Sequence, residues 1–174
     1  MKNTLLAMLA GVSLLGSCQK PEEAAKPAQP VNPALTAVFG APVGGEALSV
    51  VAARKLAAGD EVTLSGAVLG SKSPFVEGRA AFILGDPAEL ISCDLNPGDT
   101  CETPWDVCCE SPEDILAATV TIQVVDSDGR VVAGGLEGVG GLAKLSKVTV
   151  TGKLAPTSTP EAVIINATAI RVDK

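Results

Sequence analysis

Five short segments of the chain carry the apolar patterning of strands, in which alternate side chains face a core and solvent. In "DEVTLSGAVLG" (60–70), Val62, Leu64, Gly66 and Val68 share one face and Thr63, Ser65 and Ala67 the other. A glycine inside such a run marks a bend or bulge. The apolar run "RAAFILGD" (79–86) reads as a second strand, and "ATVTIQVVD" (118–126) sets Val120, Ile122 and Val124 against Thr119, Thr121 and Gln123 as a third. "SKVTVTGKL" (146–154), with Val148, Val150 and Gly152 in step, is the fourth, and "EAVIINATAIRV" (161–172) is the fifth. Two stretches read as short helices: "SVVAARKLAAGD" (49–60), with a Ser cap and a Gly stop, and "GGLAKLS" (140–146), between the third and fourth strands.

This pattern predicts an all-β fold. Five strands with a short helix between strands 3 and 4 is the order of a five-stranded OB-like Greek-key barrel, with a β-sandwich as the structural alternative. "GDEVTLSGAV", preceded by "SVVAARKLAAG", resembles the first strand of the bacterial OB-fold family of small exported proteins, and the likeness extends through "LAKLSKVTVTGKL" to the closing strand. The resemblance implies a binder of a small ligand or ion more than an enzyme, and it places no family site residue on this chain. Residues 46–174 are the barrel domain on this reading, a length sufficient for one core.

The beginning of the chain carries a different pattern. "MKNTLLAMLAGVSLLGSCQK" has a positive charge at Lys2, an apolar stretch from Leu5 to Leu15 and then small residues, the layout of a secretory signal peptide (1–17). It is shorter than the roughly 20 apolar residues that span a bilayer. Leu15, Gly16, Ser17 and Cys18 resemble the lipobox of bacterial lipoproteins. That resemblance implies cleavage before Cys18, a diacylglycerol on its sulfur and acylation of its new amino group, a combination that anchors stably. Gln19 rather than Asp after the cysteine favours outer-membrane sorting, so the expected location is the cell envelope, on the outer membrane facing the periplasm. Cys18 and the Pro/Ala-rich stretch to residue 45 read as a semi-extended linker that holds the domain off the membrane.

Composition narrows the function. The net charge of −7 argues against nucleic acid, whose phosphates are met by Lys and Arg clusters. Phe39, Phe75, Phe82 and Trp105 are the only aromatic residues, too few for a stacking platform. The chain has no histidine, so no Ser-His-Asp or Cys-His arrangement can be built. No cofactor is implied. "GVGGLA" (138–143) matches a dinucleotide fingerprint but lacks room for the helix that fingerprint opens. "DSDG" (126–129) reads as a tight turn rather than a calcium loop, and Asn166-Ala167-Thr168 lies inside a strand.

The distinctive chemistry sits in the long connection between strands 2 and 3, a Cys-rich insert over residues 86–117. Connections of about thirty residues usually have a job. This one holds Cys93, Cys101, Cys108 and Cys109, the acids Asp86, Glu89, Asp94, Asp99, Glu102, Asp106, Glu110, Glu113 and Asp114, and no Lys or Arg. In an oxidising compartment four cysteines pair by default. A Cys108–Cys109 bridge is disfavoured by geometry, leaving Cys93 and Cys101 each bonded to one of the adjacent pair, in either connectivity. With few apolar side chains of its own, the insert is expected to owe its rigidity to these crosslinks. Its acids read as a solvated surface. The alternative is a metal site or a thiol-redox site on the same four residues, although the spacing lacks the paired C-x2-C knuckles of structural zinc. Trp105 is a candidate interaction residue at the loop tip, or else packs on the sulfurs. The expected function is a non-enzymatic lipid-anchored module that binds an envelope protein or small ligand, with the disulfide-stabilised insert as its surface. Copper or zinc handling, or thiol-redox chemistry, is the alternative.

Overall fold

Five strands close on themselves: β1 Glu61–Ala67, β2 Ala81–Gly85, β3 Thr119–Gln123, β4 Lys147–Leu154 and β5 Ile164–Val172. The computed structural model describes residues 32–98 and 100–174; the leader, Cys18, the first part of the linker and Asp99 lie outside the described residues. The strand order around the closed barrel is β1-β2-β3-β5-β4, so the β-sandwich alternative does not hold. Every neighbouring pair is antiparallel except β3 and β5, which run parallel with Ile122 opposite Ile165.

The alternation read from the sequence is the alternation of burial. Val62 and Leu64 of β1 point inward while Glu61 and Ser65 face solvent. Phe82, Leu64, Ile122, Val150, Ile165 and Ile170 fill the barrel and are fully buried. Each such side chain contributes about 1.5–3 kcal/mol relative to leaving it in water.

Two glycines let the sheet close. β1 pairs with β4 along its whole length but touches β2 only at Ala67 opposite Gly85. At that crossing a Cβ on Gly66 would stand 2.7 Å from the Gly85 carbonyl oxygen and 2.9 Å from Leu84 Cγ. Only glycine permits backbones to approach so closely. On β4, the register shifts between Thr151 and Gly152, which leaves Thr168 of β5 as the extra residue of a bulge. A Cβ on Gly152 would run into the Asn166 carbonyl oxygen.

The helices differ from expectation. Residues 33–40, which read as linker, form α1 (Pro33–Gly40), capped by Asn32, whose Oδ1 accepts from the Ala34 amide at 3.0 Å. Leu35 enters the barrel core, and α1 packs against β5 and the 139–141 turn. The helix expected over 49–60 is confined to α2 (Val50–Ala53), capped by Ser49. The helix expected over 140–146 is not formed. A single 3-10 turn, Val139–Gly141, occupies the β3–β4 connection instead. Gly138, Gly140, Gly141 and even Leu145 (φ 63°) adopt left-handed backbone, which interrupts a right-handed helix at each position. "DSDG" is the tight turn expected: the Asp126 amide donates to the Arg130 carbonyl, and Asp126 Oδ1 accepts from the Asp128 and Arg130 amides at 2.9 Å. No helix among the described residues is long and apolar enough to cross a membrane.

Candidate functional site

The chain leaves β2 at Asp86 and returns to the barrel at Thr119. Asp86, only 4% exposed, is the first tie of this connection. Its Oδ2 accepts from the Val51 amide at 3.2 Å, its Oδ1 accepts from the Ala88 amide at 3.1 Å, and its carbonyl accepts from Glu89 and Leu90. A carboxylate withdrawn from water needs such donors. Asp86 therefore staples the start of the connection to α2, and is not one of a set of solvated acids.

Leu90 and Val107 then fold inward against Ala67, Leu69 and Ala118, flanked by Val51 and Ile115. This second apolar cluster corrects the expectation that crosslinks alone stiffen the connection. The connection borrows the outer surface at the end of β1 as its floor. Its C-terminal end is α3 (Pro112–Ala117), with Ser111 as cap: Ser111 Oγ accepts from the Asp114 amide at 3.1 Å and donates to Asp114 Oδ2 at 2.7 Å. The Thr119 hydroxyl donates back to the Ile115 carbonyl and closes the loop.

Backbone pairing brings the cysteines together. Cys93 opens a 3-10 turn (Cys93–Leu95), and its amide donates to the Asp106 carbonyl at 2.8 Å, while the Asp94 amide donates to the Pro104 carbonyl at 3.0 Å. A turn at Thr103–Asp106 and the buried Val107 then deliver Cys108 beside Cys93. Cys93 Sγ lies 3.6 Å from Cys108 Sγ, and Cys101 Sγ lies 3.4 Å from Cys108 Sγ. The three sulfurs stand within 4.8 Å of one another, and Cys109 is outside that group, on the exposed surface. Cys93 and Cys101 thus both face Cys108, one of the partners that spacing assigned them. The separations, however, exceed the roughly 2.05 Å of an S–S bond.

The crowding has an electrostatic consequence. Hydrogen bonds with Cys101 and then Cys93, followed by desolvation and the repulsion of the neighbouring sulfurs, push the Cys108 thiol well above its ordinary value. A cation supplied to the cluster would reverse that preference. The carboxylates of Asp94 and Asp106 already accept hydrogen bonds. Asp94 Oδ1 accepts from the Ser92 hydroxyl, Asp106 Oδ1 from the Val107 amide, and Asp106 Oδ2 from the Thr103 hydroxyl.

Trp105 is a clamp and not an outstretched recognition residue. Its indole N–H donates to the Lys72 carbonyl at 2.9 Å, and Lys144 Nζ sits 4.1 Å from its ring centroid. Lys72 belongs to the β1–β2 connection and Lys144 to the β3–β4 connection, so one half-buried side chain ties the cysteine loop to two others. Neither lysine was legible as a partner of Trp105, because each is distant from it in sequence. The cap of α3 did have a signal, since "SPED" has the S-x-x-D form of a capping box.

A concavity lined by Arg54, Leu56, Leu154, Ser158 and Pro160 among others has a volume of about 210 Å³. That is below the roughly 300–1,000 Å³ of ordinary ligand pockets. Arg54 there already donates to the Thr119 and Pro160 carbonyls, at 2.6 and 2.5 Å. Cys18, the expected lipidation site, lies outside the described residues. Comparison of the chain with family models, curated proteins and solved structures found no match.

Proposed function

We propose that this chain is a lipid-anchored module of the cell envelope, without catalytic activity, in which an OB-type Greek-key barrel presents the β2–β3 connection as a binding surface. Strand order supports the OB reading: β1-β2-β3-β5-β4 closes through one parallel pair, β3 with β5. The "LGSC" sequence at residues 15–18 supports the anchor, placed on the outer membrane facing the periplasm. The absence of histidine supports binding over catalysis.

One observation carries the functional part. The connection between β2 and β3 holds Cys93, Cys101, Cys108 and Cys109 together with Ile91, Leu95 and Leu116, three of the five large apolar side chains left exposed among the described residues. Asp86, Val107 and Trp105 fix it on the barrel. An exposed apolar group on a rigid mount is what a recognition surface needs.

The test uses the full-length chain in a Gram-negative host, with a photo-crosslinking residue at Leu95 or, as control, at Ser65 on the outer face of β1. A discrete adduct from position 95 alone supports the reading, and adducts from neither position or equally from both refute it. In parallel, Cys18→Ser is expected to move the protein from the membrane to the soluble envelope fraction. Retention on the membrane would remove the lipid anchor from the proposal.

A further inference from the structure

We infer that Cys93, Cys101 and Cys108 form a binding site for a single thiophilic d10 metal ion, Cu(I) or Zn(II), held by three thiolates with one side open to solvent. This deepens the reading of the β2–β3 connection as the working surface and rests on it.

The distances are those of a metal-sized gap. A centre with metal–sulfur bonds of about 2.3 Å and near-tetrahedral angles spreads its sulfurs about 3.8 Å apart. Separations of 3.4 and 3.6 Å approach that spacing, whereas a disulfide draws its sulfurs to about 2.05 Å. A single disulfide within the group would engage only two of its sulfurs, yet here all three converge.

The scaffold sets the convergence by backbone and core contacts. The paired amides of Cys93 and Asp94, the turn ending at Asp106 and the buried Val107 fix the positions of Cys93 and Cys108 before any ion arrives. Pre-positioned ligands bind with less ordering cost. The donor set is sulfur only: among the described residues no carboxylate oxygen joins the three sulfurs within 4.8 Å of one another. Sulfur-only ligation selects soft cations over Mg²⁺ and Ca²⁺. Burial grades from Cys93 (buried) through Cys101 (half-buried) to Cys108 (exposed), which gives an ion an entry side and leaves room there for a fourth ligand.

The binding step balances without redox chemistry. Three S–H bonds break, three metal–sulfur bonds form, and three protons pass to solvent per ion bound. Because binding releases these protons, affinity rises with pH.

The experiment titrates the full-length chain, extracted in detergent, fully reduced and under anaerobic conditions. One sample receives Cu(I) buffered by a weak chelator and another Zn(II), with Mg²⁺ as a hard-cation control. The expected result is one ion per chain for a thiophilic metal, release of three protons per ion, and no Mg²⁺ binding. Cys108→Ser should lower affinity by more than the roughly 10–100-fold that loss of an outer-shell partner costs. Cys109→Ser should change it only a few-fold. Circular dichroism of each metal-free variant checks that the barrel persists, and Cys101→Ser serves as the second ligand variant if Cys108→Ser fails to fold. The inference is overturned if neither soft ion binds at one per chain, if Cys108→Ser and Cys101→Ser bind as wild type does, or if chain isolated without reductant has these thiols locked in disulfides. Metal binding without a Leu95 adduct would sink the partner-surface reading and leave the metal site standing, so the two failures are separable.

Discussion

The barrel and the β2–β3 connection are stabilised in different ways. In the barrel, period-two patterning buries one side chain in two, and each strand is held by neighbours on both sides. Many equivalent contacts share the load. In the connection, a handful of singular contacts do it: the Asp86 carboxylate, the Leu90–Val107 cluster, the Ser111 cap and the Trp105 clamp. The lesson is that chemistry sits where the fold is held by few contacts. A loop can position three thiols because no ladder of strand pairing dictates its path.

The comparison is broken most severely from the barrel side. Phe82 is fully buried, opposite Ile122 of β3, and meets Phe75, ring centroids 6.1 Å apart. Phe82→Ala should cost about 3–5 kcal/mol in urea unfolding and should take the connection down with it, since the floor of the loop is the end of β1. Accelerated alkylation of Cys93 in step with loss of strand circular dichroism is the expected signature. A variant of near wild-type stability would remove the claim that the barrel is the foundation.

Leu90→Ala attacks the other side. Leu90 lies in the small second cluster, so about 2 kcal/mol is expected, the low end for such a truncation. Here the two probes should separate, with thiol exposure preceding barrel unfolding as urea rises. Coincident transitions would mean that loop and barrel are one cooperative unit, contrary to the distinction drawn above.

A gentler change sharpens the comparison. Lys144→Met removes the cation over Trp105 and should cost about 0.5–1 kcal/mol. As Trp105 is the chain's only tryptophan, its fluorescence reports the clamp directly. An unchanged emission spectrum in the variant would show that Lys144 does not rest on the ring in solution.

What the sequence made legible follows the same division. All five strands lie within the segments read as strands: β1 and β3 show period-two burial written locally, residue by residue, and β2 was read from its apolar run. Gly66 was legible as an irregularity, whereas Gly152, in step with Val148 and Val150, gave no sign of the register shift it carries. α1 was not legible, because its one fully buried residue, Leu35, stands in a Pro/Ala-rich stretch with no repeat to betray it. The helix expected over 140–146 did not form, because Gly140, Gly141 and Leu145 take left-handed backbone. In the connection, spacing identified the cysteines as a group and left Cys93 and Cys101 to pair with Cys108 and Cys109 in either order. It could not show their convergence, which depends on the pairing of residues 93–94 with 104–106 and on where Val107 is buried. Asp86 was grouped with solvated acids because charge is visible in a sequence and its donors, the amides of Val51 and Ala88, are not.

The smallest effect tests the place where the end of β5 meets the start of β4. Asp173 accepts from the Thr149 hydroxyl at 2.8 Å and from Arg171 Nε at 2.8 Å. Desolvation alone would raise its carboxyl, but the hydrogen bonds from Arg171 and Thr149, with the charge of Arg171, together hold it below the usual aspartate range. A carboxylate depressed in the folded state stabilises above its unfolded value, about 3.9, and loses that contribution as pH falls through the lower folded value. The Arg171 side chain is 58% exposed, so screening limits the pair to a few tenths of a kcal/mol, about 0.3–1 at most. Asp173→Asn should therefore be slightly less stable than wild type at pH 7, and the gap should close below about pH 4. Metal affinity of the thiol cluster should not change at any pH in this variant. A gap that persists in acid would assign the effect to packing of the amide, and a change in metal binding would mean that the two regions are coupled through the barrel.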